Sequence, residues 1–224
     1  SNCLLNKAKE YGLDDSIKQS IIYPAVDTSI FFRKKDERGS MKSKDSIQIL
    51  TVARLHWIKG LDYVLQAIRN LNSEKFNYTI VGDGIEYERL ALTINQLNLS
   101  NNVQMVGYVP HDQILSYYKD ADIYLQYSLE EGFCNAVLEA QSMGILTIVS
   151  DASGLKESVQ NQVTGWIVPK RDPTLLSEKI KEIVSLNSEE LDAVRNNAVN
   201  RIRKKFTLAS QEIQFKNFFN EDLF

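Results

Sequence analysis

Short β-branched runs alternate with segments of helical spacing along most of the chain. Residues 20–23, 47–53, 77–81, 103–105, 123–126, 146–150 and 165–168 read as strands. Residues 61–71, 86–97, 112–119, 136–142, 155–159 and 173–185 read as helices between them. Leu61, Val64, Leu65, Ile68 and Leu71 recur at three and four positions, which puts them on one helical face. Ile49-Leu50-Thr51-Val52 and Thr147-Ile148-Val149 are apolar on both sides of the strand, as expected when both faces of a sheet are covered. Strand and helix in repeated alternation predict an α/β fold: an open, Rossmann-like parallel sheet with helices on both faces. Residues 188–219 read as two further helices, and the charged stretch 33–45, with Gly39, as a surface loop. The chain thus divides into an entry helix or strand with a surface loop (1–45), an α/β core (46–186) and C-terminal helices (187–224).

A hydrophobic fraction of 43% in 224 residues is enough for a sizeable core, so the chain is expected to fold as one domain, or one domain with an appendage. The formal net charge of −3 argues against a general nucleic-acid binder, which needs a basic field to displace counterions. A local basic pocket for one phosphorylated ligand remains compatible with it. Cys3 and Cys134 form no disulfide framework, and His56 and His111 stand in no zinc-type pattern, so no metal is expected. No run approaches the ~18 apolar residues that cross a bilayer, and no signal peptide opens the sequence. The expected location is therefore cytoplasmic. The first residue is Ser rather than Met, as expected of a fragment or a processed chain. The basic run Arg201-Ile202-Arg203-Lys204-Lys205 reads as a solvated helix face, with peripheral contact to anionic lipid or a partner domain as the alternative.

Sheets of this kind bind ligands at the carboxyl ends of their strands, where strand order reverses. The residues after each strand are therefore the candidates for chemistry. Arg54 lies at the tip of the first core strand and Lys59 at the start of the next helix. Two cations beside a helix N-terminus make an anion site, although an isolated pair of this kind is ordinarily solvated surface charge. Gly82-Asp83-Gly84 permits a tight turn or a close backbone approach to a ligand, but it is not a GxGxxG fingerprint. Gly107-Tyr108-Val109-Pro110 precedes a helix start marked by Pro110 and Asp112, and His111 there reads as a surface residue.

The most informative stretch is Glu131-Gly132-Phe133-Cys134-Asn135-Ala136-Val137-Leu138-Glu139. Asn135 is the expected N-cap, which leaves the free amides of the following helix aimed at the strand ends. Glu131 and Glu139 are eight residues apart, a rise of about 12 Å were the helix continuous. Glycosidase carboxyl pairs sit ~5–9.5 Å apart across one bond. The spacing suits two hydrogen-bonding stations along an extended ligand, and a sugar nucleotide has that shape. The bland alternative is a solvated loop carboxylate at Glu131 and a core aromatic at Phe133.

At these residues the chain resembles the group 1, or family 4, retaining glycosyltransferases of the GT-B fold. Glu131 to Glu139 matches that family's Glu-x7-Glu signature, Arg54 its strand-tip arginine, and Lys59-Gly60 its Lys-Gly. Gly82-Asp83-Gly84, Gly107, Ser150-Asp151-Ala152-Ser153-Gly154 with Glu157, and Gly165-Trp166-Ile167-Val168 fall in the family's order. Ile22-Tyr23-Pro24-Ala25-Val26-Asp27 and Phe31 look like its leading strand. The resemblance covers about residues 20–185. Cys134 departs from a usual Gly, Ala25 from a common Asn-Gly, and Ser153 from one Gly of a pair.

The resemblance implies a two-domain enzyme of which this sequence matches the C-terminal, donor-binding half, the acceptor-binding N-terminal domain being missing. It implies that Glu131 contacts the donor sugar, Glu139 the ribose, and Arg54 and Lys59 the diphosphate. It further implies that backbone at Gly132, Phe133 and Cys134, with the helix start at Asn135, Val137 and Leu138, holds the donor, that Gly82 and Asp83 border it, and that backbone near Val109 meets the base. The implied reaction is metal-independent hexosyl transfer from a UDP-, GDP- or ADP-linked sugar to a glycan or lipid-linked acceptor, with retention and no cofactor. These 224 residues alone are expected to bind donor but transfer poorly. Two other readings stay open: half of a nucleotide-sugar epimerase, for which only His56 and His111 offer acid–base groups, and a non-catalytic nucleotide-sugar-binding module. Cys134 as a nucleophile finds no base beside it in the sequence.

Overall fold

A computed structural model describes residues 1–34, 41, 44–71 and 75–220. Most of the predicted surface loop at 33–45 lies outside the described residues. Six parallel strands, β1 (Ile47–Val52), β2 (Phe76–Val81), β3 (Val103–Gly107), β4 (Ile123–Gln126), β5 (Leu146–Ser150) and β6 (Trp166–Val168), form one sheet in the order β3-β2-β1-β4-β5-β6. Strand order reverses between β1 and β4, which pair through Ile49↔Ile123 and Leu50↔Tyr124. A crevice at the carboxyl ends therefore opens between these two strands.

The period of two along each strand sends alternate residues to opposite faces. Ile49, Ile123, Leu125, Leu146 and Ile148 face one core, while Leu50, Tyr124 and Val149 face the other. The first core is closed by α2 (Leu61–Leu71), α3 (Tyr87–Gln96) and α7 (Pro173–Ser185), through Val64, Leu65, Leu90, Leu176 and Ile180. The second is closed by α4 (Leu115–Asp120), α5 (Asn135–Ser142) and α6 (Ser153–Ser158), through Tyr118, Val137, Leu138 and Leu155. Full burial of one such Leu or Val contributes roughly 1.5–3 kcal/mol. The helix α8 (Ser188–Lys205) joins both cores, with Leu191 in the first and Ile202 in the second. Asn187 and Glu190 form a reciprocal capping box at its start. The helix α9 (Leu208–Asn220) follows.

Several elements differ from expectation. Residues 20–23 form no strand: they pair with no strand among the described residues, and the nearby chain makes one isolated bridge, from Val26 to Thr207. The leading part instead supplies a helix, α1 (Asn2–Glu10), the other form expected of an entry segment, though no helical pattern marks its bounds. Residues 111–114 are turns, so α4 begins at Leu115 rather than at 112. Cys134, in extended conformation, is the N-cap of α5, and Asn135 is already helical. The basic run is split: Arg201 turns inward and donates to the carbonyls of Ser158 and Glu157, both at 2.7 Å, while Arg203, Lys204 and Lys205 are exposed in the last turn of α8. Among the described residues, no helix is long and apolar enough to cross a membrane.

Candidate functional site

The ends of β1 and β2 are laced together before any ligand is considered. Ala53 N–H donates to Val81 O at 3.0 Å and Leu55 N–H to Asp83 O at 2.8 Å. Gly82 sits at φ 136°, and a Cβ there would lie 1.9 Å from Ala53 O. This glycine is therefore required for the approach of two protein backbones, not for approach to a ligand. Asp83 is exposed, and its Oδ1 accepts from Gly84 N–H at 2.7 Å.

Beyond Leu55 the chain makes one 3-10 turn, Trp57–Lys59, closed by Gly60 in the left-handed region. Lys59 thus ends a turn rather than opening α2. His56 Nδ1 accepts from Ile58 N–H at 3.4 Å and caps that turn. The turn is bonded to the loop after β4, because Leu129 N–H donates to Ile58 O at 2.7 Å. This brings Lys59 Nζ to 2.6 Å from Glu131 Oε2. The two side chains are 17% and 13% exposed, so the pair is largely withdrawn from bulk solvent. Arg54 is exposed and has no hydrogen-bond or ion-pair partner among the described residues.

The far side of the loop rests on α6. Gly154 N–H donates to Glu131 O at 3.0 Å, and a Cβ at Gly154 would meet Gly132 O at 2.2 Å and Glu131 O at 2.4 Å. Lys170 Nζ donates to Leu129 O at 3.0 Å. From above, α1 lies on the loop: Ser1 Oγ donates to Gly132 O at 2.7 Å and Leu4 packs on Gly132. The start of α1 is held by Glu157, which accepts from the amides of Asn2 and Cys3, each at 2.9 Å, and from the Tyr23 hydroxyl at 2.8 Å. Burial raises the Glu157 carboxyl, but these donors outweigh it and hold it below the usual carboxylate range.

Arg54, Lys59, Glu131, Gly132, Ser153 and Lys170, with one face of α1, enclose a cavity of about 700 Å³ at the strand ends. Glu139 does not line it. That residue projects from the second turn of α5, is 7% exposed, and has both oxygens engaged. The buried Tyr118 hydroxyl donates to Oε2 at 2.7 Å, and His111 Nε2 lies 2.9 Å from Oε1. Burial, and then the charges around it, push the Tyr118 phenol well above its usual value, so it stays a donor. His111 is 69% exposed, a surface residue as expected, but one bonded to the site. The start of α5 thus lies between a chamber holding Glu131 and a second, more buried carboxylate at Glu139, over which the exposed His111 sits.

Other candidates do not line this cavity. Val137 and Leu138 are fully buried in the second core. Phe133 stacks within an aromatic cluster, 5.4 Å from Tyr23 and 6.0 Å from Phe206. Val109 is packed against the same core, and Asn135 is exposed. Burial pushes the Cys134 thiol up to about 12, which leaves it protonated and unreactive at neutral pH. No cluster of three or more potential metal ligands occurs among the described residues. The α1 residues, Ser153 and Lys170 were not expected in the site.

The sequence model for "Glycosyl transferases group 1" matches residues 32–201. The chain belongs to this family. Among curated members, it is 32% identical over 168 residues to the putative colanic acid biosynthesis glycosyltransferase WcaL of Escherichia coli K12; the match covers 71% of this chain and 41% of that relative. The chain therefore spans about two fifths of the length of the curated relatives it matches. Among solved structures, Anabaena Alr3699/HepE in complex with UDP-glucose superposes with a TM-score of 0.88 at 18% identity, covering 99% of this chain and 62% of that one. The C-terminal domain of a group 1 glycosyl transferase (LpcC) from Francisella tularensis gives a TM-score of 0.69 at 19% identity, covering 82% of this chain and 99% of that one. The fold is that of one Rossmann-like half of a GT-B glycosyltransferase.

Proposed function

We propose that this chain is the donor-binding half of a retaining glycosyltransferase, and that it holds a nucleoside-diphosphate hexose across the start of α5. The observation that carries this reading is the joining of Arg54, Lys59 and Glu131 around one cavity at the strand ends, with Glu139 on the other side of the same helix start. The arrangement fits an elongated ligand. The hexose hydroxyls would meet Glu131, the diphosphate would lie over the free α5 amides near Arg54 and Lys59, and the ribose diol would reach Glu139. UDP-glucose bound to a protein of the same fold, and the match to a solved C-terminal domain, support the reading.

In this scheme departure of the nucleoside diphosphate develops negative charge, which Arg54 and Lys59 neutralise together with backbone amides. Lys59 is already held by Glu131, so the ligand must share or open that ion pair. Arg54, with no partner of its own, is the group most available to phosphate. No residue step calls for a metal or cofactor. Transfer to a glycan or lipid-linked acceptor would require the N-terminal half, so the chain alone should bind donor and transfer poorly. The epimerase reading is weakened because His56 caps a turn and His111 sits on Glu139, leaving no imidazole in the cavity lining.

Thermal unfolding with UDP-, GDP- and ADP-glucose tests the proposal. Ligand at 100 times Kd stabilises the folded state by about 2.7 kcal/mol, or roughly 5–10 °C for a domain of this size. No shift with any of the three would reject it.

A further inference from the structure

The strand β4 and the two residues that follow it carry a set of buried polar side chains. Tyr124, Gln126 and Ser128 are all fully buried, in a stretch otherwise filled by Ile123, Leu125 and Tyr127. Buried polar groups persist when each has a partner, and here the partners form a chain with one direction. The Tyr124 hydroxyl lies 3.0 Å from Gln126 Oε1, with Val52 O at 3.2 Å as the longer alternative acceptor. Gln126 Nε2 donates to Ser128 Oγ at 2.8 Å, and Ser128 Oγ donates to Glu131 Oε2 at 3.1 Å. The backbone of Ser128 is tied as well, since Ser150 Oγ donates to its carbonyl.

The chain runs from the core to the carboxylate at the cavity wall and stops there. The Ser128 hydroxyl accepts from Gln126 and turns its proton to Glu131. It meets the same oxygen that Lys59 Nζ holds at 2.6 Å. Oε1 of Glu131 has no hydrogen-bond partner among the described residues. Two donors on one carboxylate oxygen fix the plane of the group and leave the other oxygen for a ligand. One of those donors, Lys59, is a flexible side chain that the incoming diphosphate would also attract. Ser128 is not: it is locked by Gln126 and cannot follow the ligand.

We propose that Ser128, backed by Gln126 and Tyr124, is a positioning residue that holds Glu131 with Oε1 turned toward the donor sugar when Lys59 moves to phosphate. This rests on the donor reading above and adds to it the group that sets sugar recognition. The measurable quantity is the gain in affinity from the sugar, given by Kd for UDP, GDP or ADP divided by Kd for the corresponding diphosphate glucose. Calorimetry on this chain would compare wild type with Ser128→Ala, Gln126→Leu and Glu131→Gln. Loss of one hydrogen bond of this kind predicts that Ser128→Ala lowers the sugar gain about three- to tenfold while the affinity for the bare diphosphate holds. Gln126→Leu, which removes the backing donor at similar volume, should act in the same direction and less strongly.

Equal weakening of diphosphate and diphosphate-sugar by Ser128→Ala would mean a merely structural serine and would overturn the proposal. So would an unchanged sugar gain in Ser128→Ala and Gln126→Leu when Glu131→Gln abolishes it. An unchanged sugar gain in Glu131→Gln, or no binding of any of the three sugars by wild type, would instead remove the donor reading, and this proposal with it.

Discussion

A methyl group added at Gly154 probes the site without replacing any charged residue. The ideal Cβ would stand 2.2 Å from Gly132 O and 2.4 Å from Glu131 O. A tolerable carbon–oxygen contact is about 3.3 Å, so Gly154→Ala must move the 131–132 backbone or the start of α6 by about 1 Å. The helix is the less mobile partner, because Gly154, Leu155 and Ser158 are buried in it and Arg201 is bonded to its last carbonyls. The displacement therefore falls mainly on the loop that carries Glu131, and it breaks the Gly154 N–H bond to Glu131 O. Overpacking of this kind costs about 1–3 kcal/mol in stability. A misplacement of about 1 Å at a reacting group costs on the order of 100-fold in turnover. Transfer by the full-length protein and calorimetry of UDP-glucose binding by this chain would read the effect, with circular dichroism to confirm folding. A folded Gly154→Ala variant within twofold of wild type in both assays would refute the idea that α6 sets the position of Glu131.

Arg54→Ala should slow transfer by the full-length protein on the order of 10–100-fold, since a charge-assisted bond to phosphate is worth about 1.5–3 kcal/mol; unchanged turnover in steady-state kinetics would exclude it from leaving-group stabilisation. Glu139→Gln should weaken binding of the free nucleoside diphosphate and erase discrimination against its 2′-deoxy form, and equal preference before and after the change would count against a ribose role. Glu157 has a folded-state value below its ordinary 4.5. Its contribution is therefore fully present above about pH 4.5 and is lost as pH falls through the lowered value. Hydrogen exchange should show the α1 amides losing protection in that acid window before the sheet does, and Glu157→Gln should lose part of that protection already at neutral pH. Protection of α1 that tracks the global transition in both proteins would contradict its anchoring by this carboxylate.

The sheet was legible because burial on both faces leaves a visible mark: six of the seven expected strands form, and all six are apolar over most of their length. Residues 20–23 carry the same β-branched signal, yet strand formation needs a neighbour, and none is placed beside them. Conversely α1 contains no buried residue, and its start is fixed by a carboxylate 155 positions away from Asn2. No local pattern encodes that. Lys59 and Glu131 were each marked by position after a strand, but their meeting depends on the bond from Leu129 to Ile58, which only the assembled fold supplies. His111 and Tyr118 converge on Glu139 for the same reason. The N-cap was off by one because extended backbone at Cys134, rather than a capping side chain, ends the loop. Gly82 was visible as a residue of special conformation, but whether it made room for ligand or protein was not.

The helix α5 is gripped along all but its first two residues, with every residue from Val137 to Ser142 buried. It cannot slide or tilt without opening the second core. The stations before and after its first turns are consequently at a fixed separation. On the donor reading proposed above, that separation would work as a gauge, and a sugar joined to a nucleoside through a single phosphate should engage the two ends less well than a diphosphate-linked one. Selection by length would then belong to the scaffold, and α1 and the side chains of the rim would choose among ligands that already fit the span.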